Sequence, residues 1–168
     1  MMVTLREWKE SDAAALAELL SNKKILDNLR DGLPYPYTES DALDYINLCL
    51  SVDKTANFCF AIDFNGVLAG SIGVFRQENI HFKTAEIGYY VGEQFWGNGI
   101  ATEAVRLACK HVFDSTDIVR IYAEPFAENI ASCRVLEKNG FVSEGILRKN
   151  AYKNGNFRDM KMFALVKE

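Results

Sequence analysis

Hydrophobic and polar positions change their spacing along the chain, and these changes predict alternating strands and helices. Alternation over residues 3–8 predicts a first strand, and leucines at helical spacing predict a helix over residues 13–20. A weaker helical pattern covers residues 25–30. Thr38 opens a Thr-Glu-Ser-Asp sequence, a capping box that predicts the start of a further helix.

Later strands follow from apolar runs rich in β-branched and aromatic residues. The runs at 58–64 and 67–75 are separated by Asn65-Gly66, a strong hairpin signal, so they should pair antiparallel. A third strand should return beside them over residues 82–91. The remaining strands are predicted over residues 119–124, 142–152 and 157–166.

A glycine-rich loop connects the strand at 82–91 to a helix. Gly92 ends the strand, and Gly97-Asn98-Gly99 places a good helix-capping residue between two glycines. From Ile100 onwards apolar residues recur at helical spacing, with a charged stripe on the opposite face. The strand therefore leads through the glycines directly into the amino end of an amphipathic helix.

This loop is suited to binding an anion. The first turn of a helix has four N–H groups without partners and roughly half a positive charge, and glycines allow close approach. We therefore expect a phosphate or pyrophosphate here. A dinucleotide fingerprint would need a third glycine where Ala101 and Thr102 stand, and a nucleoside-triphosphate loop would need the absent Gly-Lys-Ser/Thr.

A further helix follows the strand at 119–124. Asn129 should cap it and Gly140 should end it, with Phe141 contacting Leu136 in a Schellman ending. The strand at 82–91, the helix that begins at Ile100 and the strand at 119–124 imply that these two strands are parallel neighbours joined by a right-handed crossover.

Composition bounds the class of protein. The chain has 168 residues, 49% of them hydrophobic, which predicts one α/β domain over residues 1–168. The net charge is −4 and the basic residues are scattered, which argues against nucleic acid as the partner. No apolar run approaches the roughly 20 residues of a membrane span. We expect a cytoplasmic protein.

Cysteine and histidine usage predicts neither disulfides nor a metal site. The four cysteines, Cys49, Cys59, Cys109 and Cys133, show no CxxC spacing and lie in or beside apolar runs, so reduced and buried thiols are expected. The two histidines are too far apart to indicate zinc.

Two segments resemble a known family. Residues 94–99 (Gln-Phe-Trp-Gly-Asn-Gly) resemble the Gln/Arg-x-x-Gly-x-Gly/Ala signature of the GNAT superfamily of N-acetyltransferases, and residues 129–141 resemble its Asn-x-x-Ser-x-x-Val-Leu-Glu-Lys-x-Gly-Phe segment. The chain is similar in particular to the branch of the ribosomal-protein alanine acetyltransferases. The resemblance implies a mixed, twisted sheet of about seven strands, with helices on both faces and one splayed parallel pair.

The same resemblance implies where acetyl-coenzyme A binds. The strand end would contact the pantetheine arm and the loop would hold the pyrophosphate. The implied cofactor-binding residues are Tyr89, Tyr90, Val91, Gln94, Trp96, Gly97, Asn98, Gly99, Ile100, Ala101, Thr102, Asn129 and Ser132.

Acetyl transfer also needs a base, an oxyanion donor and an acid. The candidate base is Glu86, although a glutamate on a wet sheet face, or one that only attracts a cationic acceptor, fits the sequence equally. The Val91 N–H is the implied oxyanion donor. Many relatives use a tyrosine as acid where this chain has Leu136, so Ser132 is the substitute candidate. Cys133 has no neighbour in the sequence that would activate it as a nucleophile.

These features predict direct transfer of an acetyl group to a primary amine, either a protein N-terminus or a small molecule. Tyr35 and Tyr37, in an aromatic proline loop, and Glu86 are the expected substrate-binding residues. Leu136 leaves open a coenzyme A sensor or scaffold without turnover. A homodimer is expected only by analogy with the family.

Overall fold

The computed structural model describes residues 2–168. Its strands are β1 (Val3–Arg6), β2 (Asn57–Phe64), β3 (Val67–Arg76), β4 (Thr84–Val91), β5 (Arg120–Ala123), β6 (Val142–Lys153) and β7 (Asn156–Val166). Its α-helices are α1 (Ala13–Leu20), α2 (Lys23–Leu26), α3 (Glu39–Ser51), α4 (Ile100–Ser115) and α5 (Ile130–Lys138).

All seven strands belong to one sheet, in the order β1-β2-β3-β4-β5-β7-β6. Every neighbouring pair is antiparallel except β4 and β5, which are parallel and are joined through α4. The sequence prediction of a mixed sheet with one parallel pair is therefore confirmed.

Two hydrophobic clusters cover the two faces of the sheet. The larger contains apolar residues of α4 and α5, and the smaller contains those of α1, α2 and α3. Successive residues of a strand point to opposite faces, so Ala61 belongs to the smaller cluster and Ile62 to the larger. In the same way, Tyr89 packs against the larger cluster and Tyr90 against the smaller.

Local signals in the sequence account for most element boundaries. The Thr38 side chain accepts a hydrogen bond from the Asp41 N–H, which confirms the capping box. Asn65 and Gly66 have φ of 53° and 86°, as a tight hairpin requires. The Phe141 N–H donates to the Leu136 carbonyl at 3.1 Å, which confirms the Schellman ending.

The predicted helix over residues 25–30 is wrong beyond Leu26. Asn22 caps α2 through a hydrogen bond from the Lys24 N–H, and the chain then continues in single turns. The Asp27 carbonyl accepts from Arg158 Nη1 at 2.8 Å, a contact 131 residues away in sequence. This tertiary contact takes precedence over the local helical pattern.

The predicted strand over residues 82–91 begins only at Thr84, because residues Asn79–His81 form a short 3-10 turn before it. Across residues 2–168, no helix is both long and apolar enough to cross a membrane.

Candidate active site

The parallel strands β4 and β5 separate partway along their length. They pair only at Thr84 with Arg120, Ala85 with Ile121 and Glu86 with Tyr122. Beyond Glu86, β4 continues to Val91 in register with β3, whereas β5 ends at Ala123. One edge of β4 therefore borders a gap in the sheet.

Main-chain groups of β4 point into this gap. The Gly92 N–H donates to the Ala69 carbonyl of β3 at 2.8 Å, so by the alternation of an antiparallel ladder Val91 and Tyr89 direct their N–H and C=O groups away from β3. The Val91 carbonyl accepts from Trp96 Nε1 at 2.8 Å. The Val91 N–H is directed into the gap.

The loop after β4 depends on its glycines. Gly97 and Gly99 have φ of 80° and 71°, in the left-handed region that other residues rarely adopt. A Cβ on either would meet no protein atom within 4 Å, so each leaves open space above the main chain. Asn98 does not cap α4 as predicted; its side chain donates to the carbonyls of Phe95 and Trp96 and holds the loop closed.

The loop and the first turn of α4 present consecutive unused donors. Among the described residues, no main-chain hydrogen bond is donated by the N–H groups of residues 97–102. The Glu103 N–H is the first to be satisfied, by the Gly99 carbonyl at 3.1 Å. Six successive N–H groups at the positive end of a 16-residue helix create a local potential that favours an anion.

A cavity of about 630 Å³ joins this loop to the gap between β4 and β5. That volume is within the range of small-molecule sites. Its wall includes eleven of the residues predicted to bind the cofactor. They are Tyr89, Tyr90, Val91, Trp96, Gly97, Gly99, Ile100, Ala101, Thr102, Asn129 and Ser132.

Five predicted site residues lie off this wall. Gln94 and Asn98 are exposed and do not line the cavity. Tyr37 is only 4% exposed and packs in the smaller cluster, where its hydroxyl donates to the Asp41 carbonyl. Tyr35 is half exposed, with Lys23 Nζ 5.0 Å from the centre of its ring. Glu86 lies just outside the wall.

An arginine connects two carboxylates where the strands begin to separate. Arg30 Nη1 lies 2.9 Å from Glu86 Oε1, and Arg30 Nη2 lies 3.6 Å from Glu124 Oε2. Glu124, two residues beyond the last β4–β5 pair, lines the cavity itself. Burial, together with the Glu86 and Glu124 carboxylates, raises the pKa of Tyr122 to about 12.

The segment that carries Arg30 is held against the β6–β7 turn. Asn154 Nδ2 donates to Asp27 Oδ1 at 3.1 Å, and Lys153 Nζ donates to Asp31 Oδ1 at 2.8 Å. These contacts join residues more than a hundred positions apart and place Arg30 at the cavity.

Two hydroxyl groups meet on the opposite wall. Tyr89 Oη and Ser132 Oγ are 2.9 Å apart, and both residues line the cavity. Burial raises the pKa of Tyr89 to about 12. Leu136 is fully buried in the larger cluster and does not reach the cavity, so position 136 has no direct part in the site.

Sequence reasoning missed four residues on or near the wall: Arg30, Glu124, Lys138 and the hydroxyl of Tyr89. Lys138 ends α5, and its neighbour Asn139 donates to the Thr102 carbonyl at 3.1 Å, which brings the lysine to the loop. The segment 129–141 contains this lysine, so it could have been singled out from sequence. Nothing in the sequence indicates that Arg30 meets Glu86.

The thiols and acidic groups do not form a metal centre in the described part of the chain, where no group of three His, Cys, Asp or Glu side chains converges. All four cysteines are free. Burial raises the pKa of Cys109 to about 12 and also raises that of Cys133, so neither is activated as a thiolate.

The sequence of the chain matches a known family. Residues 2–142 match the model of the acetyltransferase (GNAT) domain, and the chain belongs to this family.

Among curated relatives, the chain is 40% identical over 117 residues to the Probable N-acetyltransferase YjcK of Bacillus subtilis (strain 168). This alignment covers 70% of this chain and 65% of YjcK, so the chain spans slightly under two thirds of the length of that relative. It is 33% identical over 171 residues to the uncharacterized N-acetyltransferase p20 of Bacillus licheniformis, which covers 98% and 93%. A solved structure of RimL, a ribosomal L7/L12 alpha-N-protein acetyltransferase in complex with coenzyme A, superposes with a TM-score of 0.88 and 28% identity, covering 99% and 95% of the two chains.

Proposed function

We propose that this protein transfers an acetyl group from acetyl-coenzyme A to a primary amine by direct attack. The observation that carries the proposal is the run of six unused N–H groups at residues 97–102, which opens into the cavity between β4 and β5. The gap between β4 and β5 would accommodate a long, narrow chain such as the pantetheine arm of the coenzyme.

The coenzyme would lie along the cavity, with its pyrophosphate at the glycine loop and its thioester at the other end. Its pyrophosphate would bind at residues 97–102, with Lys138 nearby as a counter-charge. The pantetheine amides would bind the main-chain N–H and C=O groups of Tyr89, as an added strand does at a sheet edge. This orientation carries the thioester toward Glu124 and Ser132.

The Val91 N–H is the proposed oxyanion donor. It is directed into the gap and has a fixed position, because β4 is paired with β3 up to Val91. A donor that is already oriented stabilises the developing negative charge without further reorganisation.

Two carboxylates are available to the acceptor amine, which must lose a proton before or during attack. The sequence points to Glu86, but this residue is held by Arg30 and lies off the wall. Glu124 lies on the wall with a longer contact to the same arginine. We assign proton removal to Glu124, directly or through water, and assign to Glu86 the attraction of a cationic acceptor.

The acceptor is proposed to be a protein α-amino group or a small-molecule amine. An α-amino group, with a pKa of about 7.7–8.0, needs less help from a base than a lysine with a pKa of about 10.4. The similar RimL structure is that of an alpha-N-protein acetyltransferase, which supports the α-amino group as the first class to test.

Coenzyme binding and turnover should be tested separately. Coenzyme A should raise the melting temperature and NAD should not. Release of coenzyme A thiol from acetyl-coenzyme A should then be measured with peptides that have a free N-terminus, the same peptides with a blocked N-terminus, and spermidine. Thiol release with free but not blocked peptides is the expected result. Tight coenzyme binding with no release for any amine would instead support a sensor.

A further inference from the structure

The family resemblance places an acid at position 136, but Leu136 is 0% exposed and contributes only to the core. A hydroxyl group is nevertheless present at the cavity. Tyr89 projects from β4 on the side that faces α5, and its Oη lies 2.9 Å from Ser132 Oγ and 3.3 Å from the Ser132 carbonyl oxygen. Both residues line the cavity.

The local fold fixes both hydroxyl groups. Ser132 lies in the first turn of α5, where its N–H donates to the Asn129 side chain at 3.2 Å. Tyr89 lies in the stretch of β4 that β5 does not pair with, two residues before the proposed oxyanion donor Val91. A thioester polarised by this N–H would therefore lie in the same cavity as the hydroxyl pair.

We propose that Tyr89, acting together with Ser132, protonates the departing thiolate of coenzyme A; this inference rests on the proposed acetyl transfer. When the tetrahedral intermediate collapses, the C–S bond breaks and its electron pair remains on sulfur. A proton passes from the hydroxyl pair to sulfur and gives the free thiol. Tyr89 then regains a proton from water, while the proton lost by the amine leaves through Glu124.

The chemistry of the two hydroxyl groups supports this assignment. Burial raises the pKa of Tyr89 to about 12, so the group carries its proton at neutral pH. Cys133 and Cys109 are the titratable neighbours from α5 and α4, and burial raises the pKa of each thiol. A phenol is a stronger acid than an alkyl hydroxyl, so the tyrosine is the source of the proton and the serine relays or orients it.

The chain offers a matched control. Tyr45 Oη and Ser71 Oγ form a second tyrosine–serine pair at 3.1 Å, packed with the smaller cluster and off the cavity wall. Replacing Tyr45 with Phe removes the same kind of buried hydroxyl without touching the proposed reaction path.

The test compares Tyr89→Phe, Ser132→Ala, the double variant and Tyr45→Phe. Thiol release should fall on the order of 10- to 100-fold in kcat for Tyr89→Phe, with coenzyme affinity within about threefold of wild type. The double variant should lose little more than Tyr89→Phe alone, because the two residues act as a unit. Tyr45→Phe should retain the wild-type kcat.

A second readout requires no acceptor. Ultraviolet titration of the thiolate of bound coenzyme A should give a lower pKa in the wild type than in Tyr89→Phe, because the hydroxyl donates to the thiolate. Equal thiolate pKa values, an unchanged kcat in Tyr89→Phe, or an equal loss in Tyr45→Phe would each overturn the relay. If the wild type binds no coenzyme A, the proposed function itself fails. If the wild type and Tyr89→Phe have equal kcat values, only the relay fails.

Discussion

The two ends of the cavity are built in different ways. The proposed cofactor side, residues 97–102 with the β4 edge at Tyr89 and Val91, consists of main-chain groups placed by glycines and strand pairing. The proposed acceptor side, Arg30, Glu86 and Glu124, consists of charged side chains brought together from three separate segments. In the proposed function, main-chain geometry would therefore position the cofactor, and charged side chains would position the acceptor.

The cofactor side should be the more sensitive to a single change. Gly97→Val should weaken coenzyme A binding on the order of 100-fold or more, about 2.8 kcal/mol, because the new side chain fills the space above the N–H groups. Isothermal titration calorimetry measures this loss.

Gly66→Val provides the matched control for backbone strain. Gly66 also has a positive φ, 86°, and free space around it, but it lies in the β2–β3 turn. Both variants should lose roughly 1–2 kcal/mol of stability from the left-handed conformation. Retained affinity in Gly97→Val would mean that the loop does not hold the coenzyme.

Removing either acceptor-side carboxylate should lower kcat, but by different amounts. Glu124→Gln should lower kcat by about 100-fold and weaken its rise with pH, since loss of a general base typically costs this much. Glu86→Gln should cost about tenfold or less, mostly in the acceptor KM, because this carboxylate pairs with Arg30. Coenzyme affinity should stay nearly intact in both. The reverse order of effects would return the role of base to Glu86.

Removing the arginine should have a smaller effect. Arg30 is largely exposed, and exposed ion pairs contribute about 0.2–1 kcal/mol, so Arg30→Ala should change the KM of a cationic acceptor by no more than about fivefold. We expect the KM to fall, since both carboxylates are then free for the amine. Arg106→Ala, which removes a surface pair with Glu103 outside the cavity, is the control. A large loss of coenzyme affinity in Arg30→Ala would show that the two sides are not independent.

The smallest expected effect concerns the pH dependence of kcat, in which the Tyr89 hydroxyl should cause no change. An ordinary tyrosine loses its proton near pH 10, but burial raises the pKa of Tyr89 to about 12. Because the raised pKa keeps the acid protonated, kcat should show no decline attributable to it between about pH 8 and 10. Comparison of the pH profiles of wild type and Tyr89→Phe measures this. A decline near pH 10 that is present only in the wild type would contradict the assignment.

The sequence predicts the backbone of the glycine loop and of its neighbouring strands well because the determinants of that backbone are local. Gly97 and Gly99 are adjacent to the helix they start, and Asn65-Gly66 sets the hairpin that aligns β3, the strand β4 pairs with. In these cases the backbone conformation of a residue is determined by the type of that same residue. The same holds for the Asn129 cap and for the ending of α5 at Gly140.

The acceptor side could not be predicted in this way. The pair between Arg30 and Glu86 joins residues 56 positions apart, and the contact between Asp31 and Lys153 joins residues 122 positions apart. The proline loop predicts Tyr37 at the acceptor, yet the ring of this tyrosine fills the smaller core cluster. Only the folded sheet decides which charges meet, since no local pattern encodes such distances.

A crystal structure with coenzyme A bound would decide whether the glycine loop and the gap in the sheet hold the coenzyme. We expect pyrophosphate oxygens within hydrogen-bond distance of the N–H groups of residues 97–102, with the pantetheine arm between β4 and β5 and its sulfur near Tyr89 and Ser132. A coenzyme bound elsewhere, or strands β4 and β5 paired beyond Glu86 and Tyr122 so that the gap is closed, would contradict this arrangement.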